Sequence, residues 1–461
     1  MDALPEPTIA ERLAGLVADI RYEDLPRPAI ESAIALLVDQ LACQLVGSTL
    51  PWTDPAFQLV KLSEGVRPEA TVVGRGAKFL VADVAFINAT FGQSCEMDDS
   101  AMGSAGHIGT ATIPVALAVG EREKISGRAF LLAVIAGYEV MYRLMRSVTP
   151  HNIARGFHSQ SIAGPFAGAA AAGKILDMNR TEMTHAFGIA GSHSCGSVEY
   201  DQSGGEVKRI HAGLGARGGV HAALLAKLGL TGPKTIIEGK RGFCRIFADV
   251  SDPSKITADF DNIIGIQNVM YKMYPTVGTL HPAIAAVEGL VAKHGIKPGD
   301  VDQINVRIAK GALLHGAGIG KPTDVVSAQF SLAFSLALAI CKGANHLSFY
   351  RDPKLWSDPE IMGVMERIKA EPDPEAVGQK IQMATVAITL KDKRRLEAVE
   401  LYSRGSPLNP VTKEQRYAKA KNLAGYVLSP QRTDRLIETV ENIEKLADVS
   451  ELAKLLVREA G

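Results

Sequence analysis

Apolar residues recur at helical spacing from the start of the chain. Ile9, Leu13 and Val17 share one face behind a capping Thr8, and Ile30, Ile34, Leu37 and Leu41 repeat the pattern after Pro28. Two amphipathic helices are therefore expected between Ile9 and about Leu50. Ala- and Leu-rich stretches punctuated by Gly and Pro predict more helices over roughly 81–93, 110–121, 127–146, 160–176, 180–192 and 212–228. Hardly any strand is predicted before about residue 265.

The pattern then changes. Val301-Asp-Gln-Ile-Asn-Val-Arg-Ile308 alternates with the period of a strand, and 385–402 reads as two strands joined by the charged turn Lys391-Asp-Lys-Arg-Arg395. Residues 282–294 and 324–342 read as helices, which are expected to pack on one face of a small sheet. Beyond Gly405-Ser-Pro-Leu-Asn-Pro410 the chain returns to charged amphipathic helices up to Leu456, a tail expected to dock on the first helices. The predicted fold class is mainly α. An all-helical domain is formed by residues 1–265 and 405–461, with a smaller α+β domain inserted over 266–404. No internal repeat or low-complexity tract interrupts this plan.

Composition narrows the function classes. Fifty basic and fifty acidic residues cancel without any run of like charge, so neither a nucleic-acid stripe nor a membrane-surface patch is expected. The longest apolar stretch, Phe330–Cys341, is short of the roughly 20 residues of a membrane helix and reads as a buried core helix. Met1-Asp-Ala-Leu-Pro-Glu-Pro7 lacks the basic start and apolar stretch of a signal peptide, which makes the cytoplasm the expected compartment. Cys43, Cys95, Cys195, Cys244 and Cys341 form no Cys-x-x-Cys, so reduced and mostly structural thiols are expected.

Two nucleotide-like motifs fail on context. Gly213-Leu-Gly-Ala-Arg-Gly218 fits G-x-G-x-x-G and has Glu238 about 20 residues on, but Glu206-Val-Lys-Arg-Ile-His211 is too charged for the buried strand that should precede it. Close helix packing accounts better for those glycines. Gly318-Ile-Gly-Lys321-Pro322 has His315 where a P-loop needs its first Gly and Pro322 where Ser or Thr should follow. Glu96-Met-Asp-Asp-Ser100 lacks the third Asp of a magnesium box, since Met102 stands there.

Four basic motifs carry the chemistry: His107 in a Gly-rich loop, His158 after Gly156-Phe, Lys208-Arg-Ile-His-Ala-Gly213, and Lys272-Met-Tyr-Pro followed by His281-Pro282. Histidines move protons near neutral pH and lysines hold carboxylates, a mixture suited to chemistry at carbon beside a carboxylate. Each also has a plainer reading: a capped helix end at Glu96–Ser100, a satisfied core histidine at His158, a solvated basic flank at Lys208, Arg209 and His211, and a helix start at His281-Pro282. The cations at 208–211 would oppose the dipole of the following helix, which points to a carboxylate partner, and His107 lies beside a helix N-terminus that favours bound carboxylate. His151, His185, His193, His221, His294, His315 and His346 are expected to be mostly structural or exposed, and no His-Glu-x-x-His or His-x-His pair suggests a metal.

In order along the chain, Tyr22-Glu-Asp-Leu-Pro, Leu37-Val-Asp-Gln-Leu, Asp98-Asp-Ser, His107, Gly156-Phe-His, Lys208-Arg-Ile-His-Ala-Gly, Gly229-Leu-Thr-Gly-Pro, Lys272-Met-Tyr-Pro, His281-Pro, Ala328-Gln-Phe-Ser and Asn409-Pro resemble the MmgE/PrpD family. That family includes 2-methylcitrate dehydratase and cis-aconitate decarboxylase. The resemblance implies an inserted α+β lid, a homodimer, a small polycarboxylate substrate, and no metal or organic cofactor. It also implies catalytic roles for His107, His158, Lys208 and His281, the last brought in by lid closure, with Ser100 at a threonine position and Glu96 at an aspartate position. Glu96, Asp99, Ser100, Arg209, Lys272 and Tyr274 complete the expected substrate-binding set. A loop one residue longer before His107 and Ile108 in place of a proline are departures that bear on substrate identity.

The expected activity is that of a cofactor-independent lyase, most of all a 2-methylcitrate dehydratase-like hydro-lyase. Decarboxylation of cis-aconitate, epimerisation of a dicarboxylate such as iminodisuccinate, and non-catalytic carboxylate binding by a regulatory protein are the alternatives. The first three pass through a stabilised carbanion, and spacing does not choose among them.

Overall fold

A computed structural model describes residues 7–200, 204–313, 319–376 and 383–459. His315, Gly318 and Met1–Glu6, on which some of the sequence expectations fall, lie outside those residues. The fold is mainly α, and the chain divides into two compact units, Met1–Val269 with Thr412–Gly461 and Met270–Val411.

In the first unit, helix Ile9–Asp19 begins in a capping box: Thr8 Oγ1 accepts from the Glu11 amide at 3.2 Å, and the Glu11 carboxylate accepts from the Thr8 amide at 3.0 Å. The second helix, Arg27–Gly47, starts one residue before Pro28 instead of after it, because proline fits the first helical turn, where no amide donor is required. By length and composition this helix could cross a membrane, a property the sequence reading gave to no segment, yet most of it is packed inside the unit.

Helices Val81–Gln93, Ile108–Glu123, Gly127–Val148, Ser159–Ile175, Arg180–Ala190 and His211–Lys227 follow. Ser159–Ile175 packs against Ile108–Glu123, Gly127–Val148 and His211–Lys227. The glycines of the dinucleotide-like motif lie inside His211–Lys227, preceded by a 3-10 turn over Val207–Ile210, with no strand among the described residues that lead into it. A Cβ at Gly215 would come within 3.2 Å of the Gly164 Cα, and one at Gly219 within 2.6 Å of the Gly168 Cα, so the small residues serve close helix packing. From the far end of the chain, helix Lys413–Ala424 packs on Arg27–Gly47, where buried Lys419 meets Asp39 at 2.7 Å.

The Met270–Val411 unit holds a four-stranded sheet of Val301–Ile308 (β1), Ile368–Pro372 (β2), Ala384–Leu390 (β3) and Arg395–Glu400 (β4), in spatial order β2-β1-β3-β4. Strands β1 and β2 are parallel and the other pairs antiparallel, with Val306 opposite both Ala370 and Val386. Ile304, Val306 and Ile308 face a core shared with Ile284, Val287, Leu290, Leu336 and Ile340 from helices His281–His294 and Leu332–Cys341. Two expectations are corrected. Strand β2 was not anticipated, because Ile368-Lys-Ala-Glu-Pro372 alternates over only five residues, ends in a proline and forms an edge with a single neighbour. The single helix expected over 324–342 is two, Val325–Phe330 and Leu332–Cys341, because Ser331 caps the second by accepting from the Phe334 amide at 3.2 Å. All five cysteines are free thiols.

Candidate active site

Three pieces of the first unit build a buried polar cluster: the 94–107 segment between two helices, His158 at the start of Ser159–Ile175, and the Val207–Ile210 turn that leads into His211–Lys227. Glu96 occupies the left-handed region at φ 57°, an uncommon conformation for a residue with a side chain. From there its carboxylate pairs with the Lys208 ammonium, and both are buried. The carboxylate that the cations at 208–211 called for is thus a residue of the protein itself.

His107 is the N-cap of Ile108–Glu123, reached through Gly106 at φ 138°, where an added Cβ would also come within 2.7 Å of the Met141 methyl. Its amide donates to Gln160 Oε1 at 2.9 Å. Its Nδ1 stands 2.7 Å from the Asp99 carbonyl oxygen and 3.0 Å from Asp98 Oδ2. A carbonyl oxygen can only accept, so Nδ1 carries the proton, and in the neutral ring Nε2 keeps a free lone pair. An imidazole oriented by acceptors behind it is the arrangement a general base needs.

Asp99 was expected to touch substrate. Its carboxylate instead accepts from the Gly109 amide at 3.1 and 3.2 Å and from the Tyr138 hydroxyl at 2.7 Å. The anion at that helix N-terminus is therefore Asp99. Burial pushes its carboxyl up to about 6, against the pull of the Tyr138 hydrogen bond.

His158 and His211 meet with Nδ1 atoms 2.9 Å apart, and the Tyr200 ring lies edge-on at 5.7 Å from His158 and 5.9 Å from His211. Burial drives the His158 pKa well below its usual value, and the neighbouring basic groups His211, Lys208 and His107 disfavour its charged form further. His211 falls to about 4, through burial and then Lys208. Both rings are neutral near pH 7, so each can take up or pass on a proton. Arg209 is buried beside them, donating to the Ser94 carbonyl at 2.6 Å and lying over the Trp52 ring at 4.2 Å.

Of the residues singled out from sequence, Glu96, Asp99, Ser100, His107, His158, Lys208 and Arg209 belong to the first unit. Lys272, Tyr274 and His281 belong to the second. There Lys272 and His281 are buried, the Tyr274 hydroxyl donates to Glu288 Oε2 at 2.7 Å, and the His281 and Tyr274 rings meet edge to face at 5.1 Å. The expected site residues left out His211, Asp98, Gln160, Tyr138 and Tyr200, although His211 and Asp98 lie within motifs singled out above. For His211 a signal existed, since Lys208 and His211 are three residues apart and share a helical face. For Tyr138, in the middle of Gly127–Val148 with no motif around it, there was none, whereas Gln160 lies in the first turn of Ser159–Ile175, two residues after His158.

A mainly helical unit that collects three histidines, a lysine and three carboxylates into one cluster, buried except for the partly exposed His107, defines an acid–base enzyme. The MmgE/PrpD N-terminal domain matches residues 11–255 and the MmgE/PrpD C-terminal domain matches residues 274–445, so the chain belongs to the MmgE/PrpD family. It is a lyase. It is 26% identical over 483 residues to the cis-aconitate decarboxylase-like protein oryM of Aspergillus oryzae, covering 99% of each chain. It is 26% identical over 464 residues to the cis-aconitate decarboxylase of Homo sapiens, covering 97% of this chain and 94% of that protein. With the 2-methylcitrate dehydratase-like protein oryR of Aspergillus oryzae it shares 23% over 290 residues, 60% of this chain and 58% of that one.

Proposed function

We propose that this lyase acts at carbon α to a carboxylate of a small di- or tricarboxylate, with His107 as general base and His158 as the second proton carrier. The observation that carries this reading is His107: with Nδ1 held by the Asp99 carbonyl and Asp98, its Nε2 is left as the proton acceptor. Lys208 holds a substrate carboxylate and stabilises the charge that builds on an enolate-like transition state, once the substrate competes with Glu96 for the ammonium. Asp98, Asp99 and Tyr138 position the base. Lys272, Tyr274 and His281 keep the roles that the family resemblance gives them, substrate holding and proton carriage, and the 270–411 unit that of a lid. Loss of kcat in His281→Ala and Lys272→Ala is the test of the former. Slowed hydrogen exchange in that unit on substrate addition tests the latter, and sedimentation tests a homodimer.

Two reactions fit this machinery. Dehydration, as of 2-methylcitrate, breaks the Cα–H bond and expels hydroxide with acid help. Decarboxylation, as of cis-aconitate, breaks the bond to the leaving carboxylate, and a histidine then protonates the carbon. Similarity along nearly the whole chain to proteins named cis-aconitate decarboxylase favours trying that acid first. Chelator-treated enzyme in D₂O, given 2-methylcitrate, citrate, cis-aconitate and iminodisuccinate and followed by proton NMR, separates the readings. Loss of water, loss of carbon dioxide, or deuterium uptake with inversion each identifies one reaction. Tight binding of one acid with no exchange at all would overturn the catalytic reading in favour of a carboxylate-binding protein.

A further inference from the structure

His211 has no role in the mechanism above, yet its ring is in hydrogen-bond contact with that of His158. The two rings face each other through like atoms, Nδ1 to Nδ1, at 2.9 Å. At that distance one nitrogen must donate and the other accept, because two protons would clash and two lone pairs would repel. The pair therefore holds a single proton between its Nδ1 atoms, and the tautomer of one ring dictates that of the other. If His158 Nδ1 carries the proton, His158 Nε2 is bare and the ring is a base; if His211 Nδ1 carries it, His158 holds its proton on Nε2 and is an acid. Both rings are buried, so water does not compete for the shared proton.

We propose that His211 is the proton partner of His158, so that a proton taken up at His158 Nε2 is matched by passage of the Nδ1 proton to His211. One N–H bond forms at His158 Nε2, one breaks at His158 Nδ1, and one forms at His211 Nδ1. The positive charge thus comes to rest on His211, one ring further from the reacting carbon, and when His158 gives up its Nε2 proton the reverse passage restores the base form. His211 positions and recharges His158 without touching substrate. This rests on the reading of His158 as a proton carrier in turnover.

The test uses the full-length enzyme labelled with ¹⁵N-histidine, together with His211→Gln and a His158→Ala control. In the unsubstituted enzyme, the ¹⁵N shifts should show one ring of the pair protonated at Nδ1 and the other at Nε2. In His211→Gln, KM should stay within about 3-fold while kcat falls about 10²-fold, the size of one acid–base contribution. Two Nε2-protonated rings in the unsubstituted enzyme would overturn the proposal whether or not the variant folds. So would a folded His211→Gln with kcat within about 3-fold of the parent while His158→Ala is inactive. Turnover by His158→Ala would instead overturn the underlying reading of the site.

Discussion

Lys419 and Lys208 are both buried in the first unit, both pair with a carboxylate, and both reach the segment that follows Val81–Gln93, but their surroundings differ. Lys419 projects from the middle of Lys413–Ala424, meets Asp39 in the middle of Arg27–Gly47 at 2.7 Å, and donates to the Met97 carbonyl at 2.6 Å. Regular helix fixes both partners, and the pair ties the C-terminal helices to the core. Lys208 lies on a single 3-10 turn, its partner Glu96 sits in left-handed backbone, and histidines surround the pair. An incoming anion can rearrange the second pair, whereas the first can only be broken. Charge and burial alone therefore do not mark a site; exchangeable partners and neighbouring proton carriers do.

The sharpest way to break this contrast is to remove each lysine. Lys208→Ala and His158→Ala should each lower turnover by about 10³-fold or more in a folded enzyme, and Lys208→Ala should also lose stability because it strands the buried Glu96 carboxylate. Near-parent rates in either would end the site assignment. Lys419→Ala should act on stability, costing about 3–5 kcal/mol in denaturant unfolding because it strands the buried Asp39 carboxylate. The double variant Asp39→Leu, Lys419→Met should recover most of that loss, since a buried pair replaced as a whole leaves no unpaired charge.

A titration sharpens the same comparison. His158 and His211 have folded-state pKa values below their unfolded ones, so the unfolded chain binds more protons and stability falls as pH drops below about 6.5. For His211, with a folded value of about 4, the loss is of order 3 kcal/mol once pH reaches that value. His211→Gln should shrink the loss seen in unfolding curves between pH 7 and 4. Asp99 acts in the opposite sense: its carboxyl, raised to about 6, adds stability that is present at low pH and lost as pH rises through that value. Asp99→Asn should therefore steepen the acid loss. The smallest effect is expected far from either lysine, where Thr8→Ala removes one helix cap at about 1 kcal/mol and leaves kcat unchanged.

The helices were legible because their apolar faces repeat over many residues, and Thr8 announced its cap. Strand β2 and the break at Ser331 were not, because a five-residue alternation that ends in a proline is too short to mark an edge strand and one serine's choice between continuing and capping a helix depends on its neighbours. His107, His158 and Lys208 stood out as basic residues beside glycines. The inward turn of Asp99, the Glu96–Lys208 pair and the His158–His211 contact join residues 10, 112 and 53 positions apart, beyond the reach of any local pattern.

The helical periodicity, the change to strand alternation near residue 300, and the set of residue types able to move protons and hold carboxylates belong to the linear chain. These follow from local spacing and side-chain chemistry. Which nitrogen of His107 is free, which carboxylates are engaged within the protein, and the facing of His211 and His158 emerge only on folding. Tautomers and pKa values are set by burial and by partners brought together from distant parts of the chain.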